Sequence, residues 1–137
     1  METEALIVNS NLDALPQVID YVRDACLAAG LPDQVVFACE LATDEACTNI
    51  IDHAYDGRDD GVIRVSCWTE DGAFVVQFFD QGVPFDPTKV REPVLTQDLA
   101  ERQLGGLGMH FMRSLMDEVR FEFDPVKGNT LTMVKRY

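Results

Sequence analysis

Residues 62–79 read VIRVSCWTEDGAFVVQFF, two runs of β-branched and aromatic residues separated by the turn sequence TEDG. That pattern is a β-hairpin, and it commits the middle of the chain to an antiparallel pair of strands. A second pair lies near the end. There EVRFEFD alternates strictly, Val119, Phe121 and Phe123 against Arg120 and Glu122; PVKGN then turns the chain and TLTMVKRY closes it. ALIVN, at 5–9, is a further short strand candidate.

The other segments carry helical periodicity. Leu15, Ile19, Val22, Cys26 and Ala29 fall at three- and four-residue spacings and predict a helix from about Asp13 to Ala29, with one buried stripe. Asn11 or Asp13 can cap it, Pro16 fits only its first turn, and Gly30 and Pro32 stop it. Asp33 can cap a second helix running to about Tyr55, after which DGRDDG at 56–61 is a polar turn. Between Gln81 and Leu104 no period is sustained, and connections of that length are usually functional or mobile. GGLG then leads into a helix bearing Met109, Met112, Leu115 and Met116. Helices and antiparallel strands in this order predict a two-layer α/β (α+β) sandwich with helices on one face.

At 137 residues the chain is one domain with room for a real core. Its formal charge of -13 argues against nonspecific attraction to nucleic acid or an anionic membrane, and a basic protein partner fits better. The apolar run near the start is too short for a signal peptide or spanning helix, so a cytoplasmic protein is expected. Cys26, Cys39, Cys47 and Cys67 lie singly in apolar patterns, as buried free thiols would.

The second helix raises the question of function. On a helical wheel Ala38, Ala42, Glu45, Ala46, Asn49, Asp52 and His53 share one side, while Val36, Phe37, Cys47, Ile50, Ile51 and Tyr55 look like core. The alanines either let the helix sit close to a sheet or leave room for a ligand. Asp80 ends an aromatic strand just before Gly82 and Pro84, and an ionised carboxylate there can accept hydrogen bonds from an exocyclic amine. Glycines before a helix, as in LGGLGMHFM, can direct backbone amides at phosphate. The long connection between them can fold over a ligand. Within residues 87–113, Lys89, Arg91, Arg102 and Arg113 outnumber the acids, a local relief from negative charge that suits a triphosphate.

These segments, in this order, resemble the GHKL or Bergerat-fold ATP-binding domains, and among them the RsbW/SpoIIAB-type anti-sigma factor serine kinases. ELATDEACTNIIDHAY resembles the N box of that family, DQGVPFDP its first glycine box, GGLGMHFM its second and GNTLTMVKRY its closing strand. The resemblance spans nearly the whole chain. It implies a single histidine-kinase-like ATPase domain over 1–137, a mixed and mostly antiparallel sheet, and an ATP lid at 87–104. It also implies ATP and magnesium as cofactors, with Asn49 on the metal and Glu45 as general base. Asp80 would bind the adenine amine with Thr130 close to the base, Gly82 would let the chain pass near the nucleotide, and Gly105, Gly106, Leu107 and Gly108 would form the phosphate loop. The implied activity is phosphorylation of a STAS-domain anti-sigma factor antagonist by a homodimer that also sequesters a sigma factor. The alternative is a nucleotide-gated binding module of a partner-switching system without meaningful phosphotransfer. Pro84 departs from the broader family's second glycine, and Lys89, Arg91, Arg102, Asp52 and His53 receive no role.

Overall fold

The computed structural model describes residues 4–84 and 106–137, so the expected lid at 87–104, with Lys89, Arg91 and Arg102, lies outside the described residues, as does Gly105. Five strands form one sheet: β1 (Leu6–Asn9), β2 (Val62–Glu70), β3 (Ala73–Asp80), β4 (Glu118–Asp124) and β5 (Gly128–Arg136), in spatial order β1-β2-β3-β5-β4. Every described pairing is antiparallel, where a mixed sheet had been expected. The β2–β3 hairpin closes on Asp71 and Gly72, both at positive φ (46° and 76°). Two left-handed residues give the turn the twist that flanking strands require, and Asp-Gly supplies them at little cost. Alternation then sends Ile63, Val65, Cys67, Phe74, Val76, Phe78, Leu131 and Met133 to one buried face.

Among the described residues three α-helices cover that face. α1 (Leu15–Ala28) follows a single 3-10 turn, Leu12–Ala14, whose cap is Asn11: its side-chain oxygen accepts from the Asp13 N–H at 2.8 Å. Its buried stripe is Val18, Val22, Ala25 and Cys26, while Ala29, expected inside, is exposed. α2 (Asp33–Asn49) has Pro32, not Asp33, at the cap position. Asp33 therefore sits in the first turn, where a carboxylate complements the positive end of the helix dipole. α3 (Gly106–Leu115) begins inside the glycine run rather than after it, and it buries Met112, with Met116 buried just beyond its end.

The wheel of α2 needs correction. Phe37, expected in the core, is 61% exposed, whereas Ala38, Ala42 and Ala46 are buried. The reason is packing on three sides: α2 contacts the sheet, α1 and α3, so its buried arc is wide and its alanines allow close approach. They are core spacers and give no clearance for a ligand. Cys26, Cys39, Cys47 and Cys67 are free and buried, as expected. Burial pushes the Cys47 and Cys67 thiols up to about 12, and contact with the Cys26 thiol followed by burial raises Cys39 further. Among the described residues no helix is long and apolar enough to cross a membrane.

Candidate functional site

The end of α2 is not an ordinary helix terminus. From Ile50 to Ala54 the helix widens to π geometry, and the Tyr55 N–H donates to the Ile50 carbonyl at 3.1 Å. Such widenings frequently sit at functional sites, because they redirect side chains that a regular helix would keep in line. No composition signal marks this one. The widened turn ends on Tyr55, which is buried, and its hydroxyl donates to the Val62 carbonyl at 2.7 Å and accepts from the Gln81 N–H at 2.8 Å. One phenol thus ties the end of α2 to the start of β2 and the end of β3.

That tie places Asp80, the last residue of β3, beside the end of α2. Asp80 is only 5% exposed, and it does not stand alone. One carboxylate oxygen, Oδ1, accepts from the Gly82 N–H at 2.9 Å and from the Asn129 side-chain amide at 2.8 Å. The carboxylate that these two bonds orient is also part of the lining of a cleft. Burial raises the Asp80 carboxyl above its ordinary value, and the bonds from Asn129 and Gly82 pull it back down.

Gly82 is required here by the backbone itself. A Cβ at this position would run into the Ala54 carbonyl, and the next residue, Val83, donates its N–H to that same oxygen at 2.7 Å. Gly128, opposite on β5, is constrained in the same way: its φ is 131° and a Cβ would strike the Asp80 carbonyl. The two glycines let the walls of the site close on Asp80.

A narrow cleft of about 20 Å³ lies at this junction, and Asn49, His53, Asp80, Val83, Phe121, Asn129 and Leu131 are among its lining residues. Asn49 and Asp80, distant in sequence, are brought together. Glu45 lies one turn before Asn49, half-buried and outside the lining, and its carboxyl is raised first by burial and then by the neighbouring Asp44 charge. Asp52 is exposed, whereas His53 reaches the cleft. Gly106, Leu107 and Gly108 form the first turn of α3. Among the described residues no group of three or more His, Cys, Asp or Glu side chains could hold a metal ion. Any divalent ion here would rest on a neutral amide such as Asn49 and on oxygens of the ligand, an arrangement that suits magnesium.

Asn129 joins Thr130 at the cleft. The register sets Asn129 opposite Asp80 and Thr130 opposite Phe79, on the other face of the sheet, although Thr130 touches the rim of the cleft. Asn129 donates to the Gly82 carbonyl at 3.1 Å as well as to Asp80, and its own oxygen is buried without a partner. An orphaned buried acceptor beside the Asp80 carboxylate is a place for a ligand's N–H groups, which fits an exocyclic amine. The signal was present in the sequence: Leu131 and Met133 mark the inner face of β5, and counting back by twos reaches Asn129.

A model of the histidine kinase-like ATPase domain matches residues 8–135 of this chain. A serine-protein kinase RsbW of Listeria monocytogenes is 30% identical over 111 residues, covering 78% of this chain and 69% of that protein. An anti-sigma F factor of Halalkalibacterium halodurans is 34% identical over 92 residues, covering 66% and 62%. Among solved structures, the RsbU and RsbW domains of a Mycobacterium tuberculosis protein superpose with a TM-score of 0.64 at 18% identity. That match takes in 98% of this chain and 32% of the other, so the chain spans about a third of that longer protein.

Proposed function

Because the chain belongs to the histidine kinase-like ATPase domain family, alongside RsbW-type serine-protein kinases and anti-sigma factors, we propose that it binds magnesium-ATP beside Asp80 and phosphorylates a serine of a STAS-domain anti-sigma factor antagonist. In the same reading it sequesters a sigma factor, in the cytoplasm and as a homodimer. One observation carries the nucleotide part: Asp80, oriented through Oδ1 by Asn129 and Gly82, lines a cleft that Asn49 also lines.

The residues divide the work. Asp80 and the Asn129 oxygen accept the amine of the base, and Asn49 offers an amide oxygen to the magnesium ion. Bound magnesium-ATP supplies the phosphoryl group and the charge neutralisation that its transfer needs. Glu45, one turn away on the same helix, takes the proton of the attacking serine hydroxyl. Burial favours its neutral form, so it holds that proton more readily than a solvated glutamate would.

The test is transfer of labelled phosphate from magnesium-ATP to purified STAS-domain antagonists, with Glu45→Gln alongside. Transfer by the wild type, lost in Glu45→Gln while that variant still binds ATP, is the expected result. ATP binding without transfer to any antagonist would favour a nucleotide-gated binding module. No thermal shift with magnesium-ATP would defeat the nucleotide reading altogether.

A further inference from the structure

The outer surface of α1 and α2 carries three large apolar side chains with no use in the core. Phe37 is 61% exposed and Leu41 39%, four residues apart on the outward side of α2, and Leu27 on α1 is 57% exposed. Leu27 stands on the side of α1 opposite its buried Val18, Val22 and Ala25. The two helices are neighbours in one layer. Arg23 of α1 pairs with Asp20 of its own helix and reaches Glu40 of α2 at 3.8 Å, so the outward surfaces adjoin. Exposed leucines scattered singly need no explanation, but apolar residues gathered on adjoining helix faces do.

What surrounds them states the chemistry of the occupant. Apart from Glu45, assigned above to phosphotransfer, α1 and α2 together carry Asp20, Asp24, Asp33, Glu40 and Asp44 against the single cation Arg23, which is already engaged by two of those carboxylates. A second copy of this face would meet like charge with like charge, a repulsion that costs specificity and affinity. A membrane surface of anionic lipid is repelled for the same reason. An amphipathic helix with a basic polar side fits both features at once: its apolar stripe covers Phe37, Leu41 and Leu27, and its cations meet the surrounding carboxylates.

We propose that the outward face of α1 and α2 around Leu27, Phe37 and Leu41 is a docking site for a basic amphipathic helix of a partner protein. The site is separate from the cleft at Asp80 and needs no nucleotide. The same helix carries Phe37 and Leu41 in its first half and Asn49 at its end.

A labelled synthetic Leu/Lys peptide of ~18 residues, about five helical turns, serves as the probe, read by fluorescence anisotropy at ~0.15 M salt without nucleotide. Saturable one-to-one binding is expected, and Phe37→Ala combined with Leu41→Ala should weaken it at least about tenfold, as loss of central apolar anchors does. Both side chains are exposed, so the variant folds. Val126→Ala, on the exposed turn between β4 and β5, should change nothing. A scrambled peptide of identical composition, lacking the apolar stripe, should bind at least about tenfold more weakly. Equal binding by the scramble reduces the interaction to net charge and overturns the proposal. So does equal binding by the double variant, or no saturation at all. If the double substitution instead turns a dimer into a monomer in sedimentation, the face belongs to a second copy and the proposal is wrong. Failure of magnesium-ATP to bind leaves every one of these outcomes readable.

Discussion

The two halves of α2 have the same helical backbone for most of their length and opposite relations to the rest of the molecule. The first half buries Val35, Val36, Ala38 and Cys39 inward and leaves Phe37 and Leu41 in solvent, with regular α geometry. Beyond Asn49 the helix widens, and Tyr55 is locked to Val62 and Gln81 through its hydroxyl. The difference shows that a helix need not be uniform to be one element. The body of the helix packs against α1 and α3, and the widened turn beyond Asn49 ends on polar bonds to the ends of two strands. Substitutions in the first half should therefore change what docks outside, and substitutions around the second should change what the cleft holds.

The largest expected effect is at Asp80, where Asp80→Asn keeps the shape and reverses the chemistry. The amide oxygen can still accept from Gly82 and Asn129, which turns the NH2 towards the cleft, donor against the donor amine of the base. Loss of a charge-assisted hydrogen bond, about 1.5–3 kcal/mol, corresponds to ATP binding weaker by roughly 10- to 100-fold, and the unmatched donor adds to that. Stability moves the other way. Burial raises the Asp80 carboxyl in the folded state, so its ionised form opposes folding as pH climbs through that raised value, and Asn129 and Gly82 only partly offset this. Asp80→Asn should therefore unfold no more easily than wild type at neutral pH while losing ATP in calorimetric titration. Unchanged ATP affinity would remove Asp80 from the site.

Tyr55→Phe comes next and sharpens the contrast directly. It removes one donor and one acceptor and leaves the Val62 carbonyl and Gln81 N–H without their partner, about 1–3 kcal/mol in denaturant unfolding. Phe37→Ala, in the first half, should stay within about 0.5 kcal/mol of wild type, because its side chain is already in solvent. If the two variants cost the same, the division of α2 into a packed half and a tethered half is wrong.

Much of the fold was legible because its signals were local. The Asp71-Gly72 turn, the strict alternation of β4 and the Pro16 and Gly30 boundaries of α1 each act over a few residues. What the sequence concealed depended on neighbours. Phe37 reads as core on a wheel, and only the presence of α1 and α3 on both flanks of α2 hands the inside to the alanines. Gly82 reads as room for a ligand, but the Ala54 carbonyl is what forbids a side chain there. In the site, Asn49 and Asp80 were found from motif order. Asn129 carries no motif signal of its own, although the sheet's two-residue period, with Leu131 and Met133 inward, assigns it to the inner face beside Asp80. The π-helical turn had no sequence signal, since it is set by where Tyr55 must reach.

The smallest expected effect tests whether the two halves of α2 communicate through charge at their boundary. Glu45 is raised by burial and, second, by the adjacent Asp44 carboxylate. A raised acid binds its proton more tightly folded than unfolded, so this residue's contribution to stability declines as pH climbs from the ordinary glutamate value through the raised one. For catalysis the same shift moves the acid limb of kcat upward, because the base must be ionised to accept the serine proton. Asp44→Asn removes the second cause and leaves the first. The limb should move to lower pH without reaching the position of a solvated glutamate, and the decline in stability with pH should become shallower. Phe37→Ala, which alters no charge, should leave both profiles where they are. A limb that ignores Asp44→Asn would mean that the titrating group in the reaction is not Glu45, and another residue would have to take the proton.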